Sequence, residues 1–254
     1  MAVRSQEVAN AAVFDHRKGT ADSNATRVAK VAAQDARFTE CGSDAAEIVR
    51  WVAEHYAPRA VLACSFGLED CILVDLISRH AETVTAFYLD TQLLFPETYA
   101  TRDRLSERYG IDFLRVLPVQ DVEQQAESHG PALWRRDPDH CCQLRKVEPL
   151  RAHLAQQLAW ITGVRREQSP ARANAPYIEW DERFGLIKAN PLASWTTEDV
   201  ARYIEENDVP HNPLHTQGYP SIGCWPCTRA VHPGEDPRAG RWPGRAKTEC
   251  GLHA

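Results

Sequence analysis

Residues 60–70 read AVLACSFGLED, and this segment sets the pattern that decides the fold. Its first five residues form a short apolar run of the kind that makes a buried strand, and a turn containing Gly67 follows. The chain then continues as a helix, because apolar residues recur at helical spacing through residues 72–77. A strand that leads through a short turn into a helix is the unit of a parallel α/β sheet.

The same alternation continues on both sides of this segment. The sequence predicts further strands at residues 84–89, 113–117, 160–164 and 186–189, and helices at residues 43–56, 96–109, 144–157 and 196–207. We therefore expect an α/β fold with an open, mostly parallel sheet and flanking helices. Ligands of such sheets bind at the carboxyl ends of the strands. The turns after strands, residues 65–70, 90–92 and 163–166, are thus the predicted pocket walls.

Composition divides the chain into three parts. Residues 1–40 are polar and Ala-rich without an apolar stripe, which predicts a disordered N-terminal arm. Residues 41–210 carry the strand–helix alternation of the α/β domain. Residues 211–254 are rich in Pro, Gly, Cys and Arg without periodicity, so we expect an irregular C-terminal segment of the same domain, ordered by something other than its own core.

Charge and cysteine usage exclude several classes of protein. The 254 residues include 29 Lys and Arg against 35 Asp and Glu, a net charge of −6, which argues against a nucleic-acid or membrane partner. The sequence has neither an apolar stretch of membrane length nor the apolar core of a secretory signal. We therefore expect a cytoplasmic protein, in which its eight cysteines stay reduced rather than forming disulfides.

Four of those cysteines are spaced for metal binding. Cys141 and Cys142 are adjacent, and Cys224 and Cys227 form a Cys-x-x-Cys pair far downstream. Four thiolates suit a structural zinc or a [4Fe–4S] cluster, and the adjacent pair favours the cluster. The spacing alone leaves zinc open, and a redox disulfide between Cys224 and Cys227 is a further alternative.

A fifth cysteine and a group of cations predict chemistry on a small anion. Cys250 lies four residues from the end of the sequence, and basic neighbours favour its thiolate, the reactive form. The turn at residues 65–70 precedes a helix, whose N-terminus suits phosphate or sulfate, although it is not a Walker A loop. Cations that could hold such an anion are Arg145, Lys146, Arg165, Arg166, Arg172, Arg238 and Arg241.

Together these residues resemble the assimilatory adenylyl-sulfate (APS) and phosphoadenylyl-sulfate (PAPS) reductase family, from about Ala60 to the C-terminus. The resemblance rests on an ordered set of motifs: SFGLED at 65–70, LDT at 89–91, FPET at 95–98, CCQLRKV at 141–147, GVRR at 163–166, YPSIGCWPC at 219–227, GRW at 240–242 and ECGLH at 249–253. Two positions depart from the family pattern. Gln92 stands where the family usually has Gly, and Ala171 stands where it tends to have Thr.

The resemblance implies a fold like that of the adenine-nucleotide α-hydrolases and a reductase of adenosine 5′-phosphosulfate. In this family the terminal motif carries the nucleophile, here Cys250, which becomes an S-sulfocysteine while AMP leaves. A dithiol protein such as thioredoxin then releases sulfite. Members that act on APS hold a [4Fe–4S] cluster on four cysteines, so the presence of all four here favours APS. The alternatives are a PAPS reductase, an ATP-dependent sulfur-transfer enzyme of the same fold, and a non-catalytic iron–sulfur or zinc redox sensor.

The resemblance also assigns site residues. Cys250 is the expected catalytic residue, and the expected cluster ligands are Cys141, Cys142, Cys224 and Cys227. We expect the cluster to have a structural and electrostatic role that orders residues 141–146, and Ser65 and Gly67 to offer oxyanion contacts. A homo-oligomer stays open. The expected substrate-binding residues are Ser65, Phe66, Gly67, Glu69, Asp70, Leu89, Asp90, Lys146, Arg165, Arg166, Arg172, Arg238, Arg241 and His253.

Overall fold

A computed structural model describes residues 24–42, 44–247 and 249–252. Within this part of the chain, six strands form one sheet in the order β3-β2-β1-β4-β6-β5. All neighbouring strands are parallel except β5 and β6, which are antiparallel. The strands are β1 (Ala60–Ala63), β2 (Thr85–Leu89), β3 (Phe113–Val116), β4 (Ala159–Ile161), β5 (Ile178–Asp181) and β6 (Leu186–Ala189).

Helices cover both faces of the sheet, as the sequence predicts for an α/β fold. They are α1 (Asn24–Cys41), α2 (Ala45–Tyr56), α3 (Leu68–His80), α4 (Pro96–Tyr109), α5 (Val122–His129), α6 (Leu133–Arg136), α7 (Pro138–Cys142), α8 (Glu148–Leu154) and α9 (Thr197–Glu206). A π-helical turn, Gln143–Val147, joins α7 to α8. No helix in the described part of the chain is long and apolar enough to cross a membrane.

The core has two parts because successive strand residues point to opposite faces of the sheet. Leu62 of β1 belongs to the larger cluster, which α2 and α3 cover. Val61 points to the other face, where it packs with Trp160 of β4 and Leu154 of α8. Since both faces are buried, the central strands are apolar throughout, which is why the sequence shows them as continuous apolar runs rather than as alternating ones.

Helix α1 corrects one expectation. The described portion of the predicted disordered arm, from residue 24 onward, is helical, and residues 1–23 lie outside the described residues. The helix is held by tertiary contacts, which a sequence pattern shows poorly. Val31 and Phe38 are buried in the core, and the Asp35 carboxylate accepts hydrogen bonds from the amides of Tyr177 (2.7 Å) and Ile178 (3.1 Å) at β5.

The sequence also missed an edge strand and several short helices. Strand β5 lies antiparallel to β6 at the edge of the sheet, and a short turn joins the two strands. The strand–helix alternation that indicates the other strands is therefore missing here. The predicted helix at residues 144–157 is a π-helical turn followed by α8, and α5, α6 and α7 were not predicted. These short elements position the cysteines described below.

Candidate active site

The carboxyl ends of the parallel strands open onto one large cavity of about 590 Å³. Its walls come from the turns after β1 and β4 and from the C-terminal segment, as the strand order predicts. Most of the residues that the sequence assigned to the substrate line this cavity. They are Ser65, Phe66, Gly67, Glu69, Asp70, Leu89, Lys146, Arg165, Arg166, Arg172, Arg238 and Arg241, together with Cys250.

Two assigned residues stand apart from this group. Asp90 does not line the cavity, because its carboxylate is fully buried beneath the loop and accepts hydrogen bonds from Tyr99 (2.6 Å), Arg115 (2.6 Å) and the Gln92 amide (2.8 Å). These bonds keep its pKa low against the opposing effect of burial, so Asp90 shapes the loop after β2 rather than facing a ligand. His253 lies outside the described residues.

The turn after β1 is fixed by Asp70 rather than left open for an anion. The Ser65 amide and hydroxyl both donate to one carboxylate oxygen of Asp70, each at 2.6 Å. Burial raises the pKa of Asp70 to about 6, and the bonds from Ser65 oppose that rise. A Cβ on Gly163 would lie 2.5 Å from this carboxylate, so only glycine fits beside it. The expectation that Ser65 offers oxyanion contacts is therefore wrong in this geometry, because Asp70 takes both of its donors.

Two of the predicted cations are held by neighbours within the protein. Arg165 is nearly buried and forms a 2.7 Å ion pair with Glu69, and it also donates to the Trp195 carbonyl (3.0 Å). Arg166 donates to the Ala175 carbonyl (2.9 Å) and lies over the Tyr177 ring. These contacts anchor the cavity wall, and they limit the positive charge that either arginine presents to a ligand.

Cys250 lies at the other end of the cavity among cations. Burial alone would raise the pKa of this thiol, but the charges of Lys146 and Arg241 and the amide of Leu252 lower it below its ordinary value. Arg172 and Arg238 lie nearby and contact the carboxylate of Glu249, the residue before the thiol. The cavity thus holds a thiol whose thiolate form is favoured by neighbouring cations, next to two further arginines.

A second, smaller cavity is lined by the other four assigned cysteines, Cys141, Cys142, Cys224 and Cys227. The first two end α7, and the second two begin and end a single 3-10 turn. An isolated bridge between Leu94 and Cys224 joins the second pair to the loop after β2, so two distant parts of the sequence meet here. All eight cysteines are free thiols, so the structure contains no disulfide between Cys224 and Cys227.

Each thiol of this cavity disfavours the thiolate form of its neighbours. Burial, together with the three neighbouring cysteines, raises the pKa of Cys141 to about 12. Burial, together with Cys224 and Cys142, raises the pKa of Cys227 to about 11. Within the described residues, no three or more His, Cys, Asp or Glu side chains converge tightly enough to hold a single metal ion.

Arg145 supplies a buried positive charge beside these thiols. Its side chain is 2% exposed and donates only to neutral oxygens. The acceptors are the carbonyls of Thr91 (2.7 Å), Gln120 (3.2 Å) and Asp121 (3.4 Å) and the amide oxygens of Gln92 (2.7 Å) and Gln125 (3.1 Å). A buried charge without a counter-charge is expensive, and the negative groups acting on Arg145 most strongly are Cys141 and Cys224. The cavity is therefore built to hold negative sulfur.

Sequence reasoning missed several of these residues. Glu249 lies inside a quoted motif, and its adjacency to Cys250 was the signal that could have found it, whereas Arg145 stands among the candidate cations of the sequence without a role of its own. His215 lines the large cavity with both ring nitrogens buried and without hydrogen-bond partners, and nothing in its sequence context indicated it.

The sequence profile of the family described as phosphoadenosine phosphosulfate reductase domain matches residues 59–230. The chain belongs to this family. It is similar to curated reductases over most of its length. Two of these relatives, each 49% identical over 82% of this chain, are adenosine 5′-phosphosulfate reductase 1 of Bacillus subtilis, with 90% of the relative covered, and adenosine 5′-phosphosulfate reductase of Streptomyces coelicolor, with 88% covered.

Solved structures confirm the predicted fold. The phosphate complex of phosphoadenylyl-sulfate reductase from Candida auris is 32% identical, with a TM-score of 0.69 over 79% of this chain and 96% of that one. FMN adenylyltransferase of Candida glabrata, bound to FMN and an ATP analogue, is only 14% identical, with a TM-score of 0.51 over 82% of this chain and 66% of that one. This second likeness shows that the reductase family shares its sheet with an enzyme that binds an adenine nucleotide.

Proposed function

We propose that this protein reduces adenosine 5′-phosphosulfate to sulfite and AMP, in the cytoplasm and as a step of sulfate assimilation. One observation carries the proposal: Lys146 lines both the cavity of the activated Cys250 thiol and the cavity of the four cysteines. Arg241 also lines both cavities. A nucleophilic thiol and a four-thiol site joined by these two cations match the set that the sequence resemblance assigns to reductases of APS. The curated relatives named adenosine 5′-phosphosulfate reductase support the choice of substrate.

The first step uses the thiolate of Cys250. Its sulfur attacks the sulfuryl sulfur of the substrate, the bond to the bridging oxygen breaks, and that oxygen leaves with the electron pair as part of AMP. The leaving phosphate is already a weak base, so little acid catalysis is needed. The site must instead neutralise the phosphosulfate oxygens so that an anionic thiolate can approach, and Lys146, Arg238 and Arg241 are placed to do so.

The second step needs a separate dithiol. One thiolate of the reductant attacks the Cys250 sulfur, the sulfur–sulfur bond breaks, and sulfite leaves with the electron pair. The second thiol of the reductant then resolves the mixed disulfide and regenerates Cys250, so the dithiol becomes a disulfide. Thioredoxin is our proposed reductant. Cys142, on which the charge of Cys250 acts, lines the four-thiol cavity and is one of the proposed cluster ligands, which leaves resolution to an external thiol.

The four cysteines of the small cavity fit a [4Fe–4S] cluster. A zinc ion needs four ligands around one point, whereas a cluster takes one thiolate on each of four irons and so accepts sulfurs that do not converge. The adjacent pair Cys141 and Cys142 favours the cluster over zinc, and the buried charge of Arg145 supports an anionic thiolate centre at this site. When bound, the cluster supplies a fixed negative charge. This chain's own contribution is to hold residues 141–146 so that Lys146 reaches the substrate cavity.

Anaerobic purification followed by thioredoxin-dependent turnover tests the proposal. We expect sulfite release from adenosine 5′-phosphosulfate to exceed release from the 3′-phosphorylated nucleotide, together with about four iron and four sulfide per chain. A preference for the 3′-phosphorylated nucleotide would make the protein a PAPS reductase. Bound iron or zinc without sulfite from either nucleotide would instead support a redox sensor.

A further inference from the structure

Glu249, the residue before Cys250, binds the arginines at one end of the large cavity. One carboxylate oxygen of Glu249 lies 2.9 Å from Nη2 of Arg172 and 3.2 Å from Nη2 of Arg238. The side chains of Glu249 and Arg172 are only 14% and 13% exposed, so this contact is largely shielded from water and from salt. This contact anchors the C-terminal tail within the cavity.

The four cations at this end of the cavity divide into two pairs. Lys146 and Arg241 act on the Cys250 thiolate and lower its pKa. Arg172 and Arg238 pair with the carboxylate of Glu249, although Arg238 also interacts with the charge of Cys250. Without Glu249, Arg172 and Arg238 would lose this carboxylate and would attract the Cys250 thiolate away from Lys146 and Arg241. The division therefore gives the thiol one defined position opposite Lys146.

Glu249 leaves room for the substrate anion. Its second oxygen, Oε1, is buried without a hydrogen-bond partner, and so is the Nε–H of Arg172. The Nε–H of Arg241 is likewise buried and unpartnered. The hydrogen-bonding capacity of this group is thus not used up while the carboxylate is in place. With the tail in place, the carboxylate, the thiolate and the two negative charges of an adenylyl sulfate would match the four cations.

We propose that Glu249 is a positioning residue, which seats the catalytic tail by binding Arg172 and Arg238 and so holds the Cys250 sulfur in line with the substrate. The inference rests on the proposed function for the identity of the substrate. The position of the tail in the cavity can be tested without a substrate. Two further contacts hold the tail: the Lys247 side chain pairs with Asp139, and the Gly251 carbonyl accepts a hydrogen bond from Arg183. Glu249 differs from both because its side chain binds cations that line the cavity of the thiol.

Replacement of Glu249 by Gln tests the proposal, because the amide keeps the size and loses the charge. At saturating adenosine 5′-phosphosulfate without reductant, we expect S-sulfocysteine to form on Cys250 about tenfold or more slowly than in the wild type, since the negative charge that pairs with Arg172 and Arg238 is lost. Glu249→Asp should recover part of the rate. The matched control is Glu235→Gln, which removes a carboxylate–arginine pair with Arg229 in the same segment but outside the cavity.

The pH dependence of Cys250 alkylation, followed by peptide mass spectrometry without nucleotide, gives a readout that does not need activity. A tail released from its seat leaves Lys146 and Arg241 behind, so the midpoint of alkylation should rise toward that of an ordinary thiol. A tail that stays seated and merely loses a negative neighbour should show a lower midpoint. The charged and titratable groups that act on this thiol are Cys142, Lys146, Arg238, Arg241 and Glu249.

Three results would overturn the proposal: a wild-type rate in Glu249→Gln, a lower alkylation midpoint, or a lower KM for the nucleotide at unchanged rate. The last result would make Glu249 a competitor of the substrate anion rather than a seat for the tail. A wild-type protein that forms no S-sulfocysteine would refute the proposed function, and the alkylation midpoint would still test the seating. Thermal unfolding of each variant checks that the fold is kept.

Discussion

Cys250 and the cysteines of the neighbouring cavity carry the same side chain, and their surroundings shift its pKa in opposite directions. Burial raises the pKa of Cys141 and Cys227, and the neighbouring thiols add to the rise, because each thiolate repels the others. Burial acts on Cys250 as well, but Lys146 and Arg241 outweigh it and lower the pKa. A thiol among cations becomes a nucleophile, whereas thiols among thiols become thiolates only when a metal neutralises them.

This difference shows that the surroundings of a cysteine, rather than its residue type, determine its chemistry. The two environments touch at Lys146, which lines both cavities, while Arg145 one residue earlier faces only the small one. The π-helical turn that holds both residues places consecutive cations on the two sides of one wall. The predictions below test the two sides in turn and then the connection between them.

The largest effect is expected from Cys250→Ser, which removes the nucleophile. A serine hydroxyl beside Lys146 stays protonated, so sulfite release should fall by more than about a thousandfold. Mass spectrometry of the variant with substrate should show no sulfonated cysteine. The control Cys41→Ser replaces an exposed thiol on α1 and should keep full activity. A sulfonated peptide from any other cysteine would mean that the two environments have been assigned the wrong roles.

The next largest effect is expected from Cys224→Ser, which removes one thiol from the small cavity. Most of the iron and sulfide should be lost on gel filtration, and the unfolding temperature should fall, because metal binding contributes to folding. The Cys224 sulfur also lies 3.3 Å from the Thr91 hydroxyl, so the loop after β2 should loosen. Cys71→Ala, a buried thiol on α3 outside this cavity, is the control. Zinc at one ion per chain in the wild type would contradict the cluster.

A smaller effect, with a defined sign, is expected from Lys146→Gln. Lys146 lowers the pKa of Cys250, so its removal should raise that pKa and reduce the thiolate fraction at neutral pH. S-sulfocysteine formation should slow roughly tenfold at pH 7, because a smaller fraction of the thiol is thiolate and one charged contact to the substrate anion is lost. Part of this loss should recover as pH rises. A uniform loss at every pH would show that Lys146 acts on the substrate alone and does not tune the thiol.

The sequence predicted the parallel strands and helices that carry this site well, because local sequence signals mark where they begin and end. Pro96 and Gly110 bound the helix that was predicted between them, and the apolar runs of β1 and β2 placed the turns that line the cavity. The placement of Cys250 beside Lys146 followed only from the family resemblance. Nothing local in the sequence brings residues 104 positions apart together.

What the sequence did not predict depends on long-range contacts. Helix α1 carries no clear apolar stripe and is ordered by Asp35 capping the start of β5, a contact between residues about 140 positions apart. Ser65 has the position of an anion-binding residue, but a carboxylate five residues later takes its donors. Asp90 follows a strand, which is a common position for a ligand-binding residue. Its carboxylate is instead buried and accepts hydrogen bonds from Arg115 of the neighbouring strand and from Tyr99.

The smallest effect is expected at Gln92, which joins the two environments. Its backbone is in the left-handed region (φ 57°), where glycine is favoured, and its side-chain oxygen accepts a 2.7 Å hydrogen bond from Arg145. Gln92→Gly relieves a backbone conformation that costs about 1 kcal/mol. The change also leaves a buried guanidinium donor without its acceptor, which costs about 1–3 kcal/mol. The second effect is the larger, so the unfolding temperature should fall by about 2–4 °C.

Asp208→Gly is the matched control for this change. Asp208 has the same left-handed backbone (φ 49°), but its side chain is 95% exposed and pairs only with Arg108 at the surface. Such a pair contributes at most about 1 kcal/mol, so Asp208→Gly should leave stability nearly unchanged or slightly raised. If Gln92→Gly raised the unfolding temperature as well, the bond to Arg145 would contribute nothing. The cysteine cavity and the loop after β2 would then be joined by their other contacts, such as those of Arg145 with the Thr91 carbonyl and of Cys224 with Leu94.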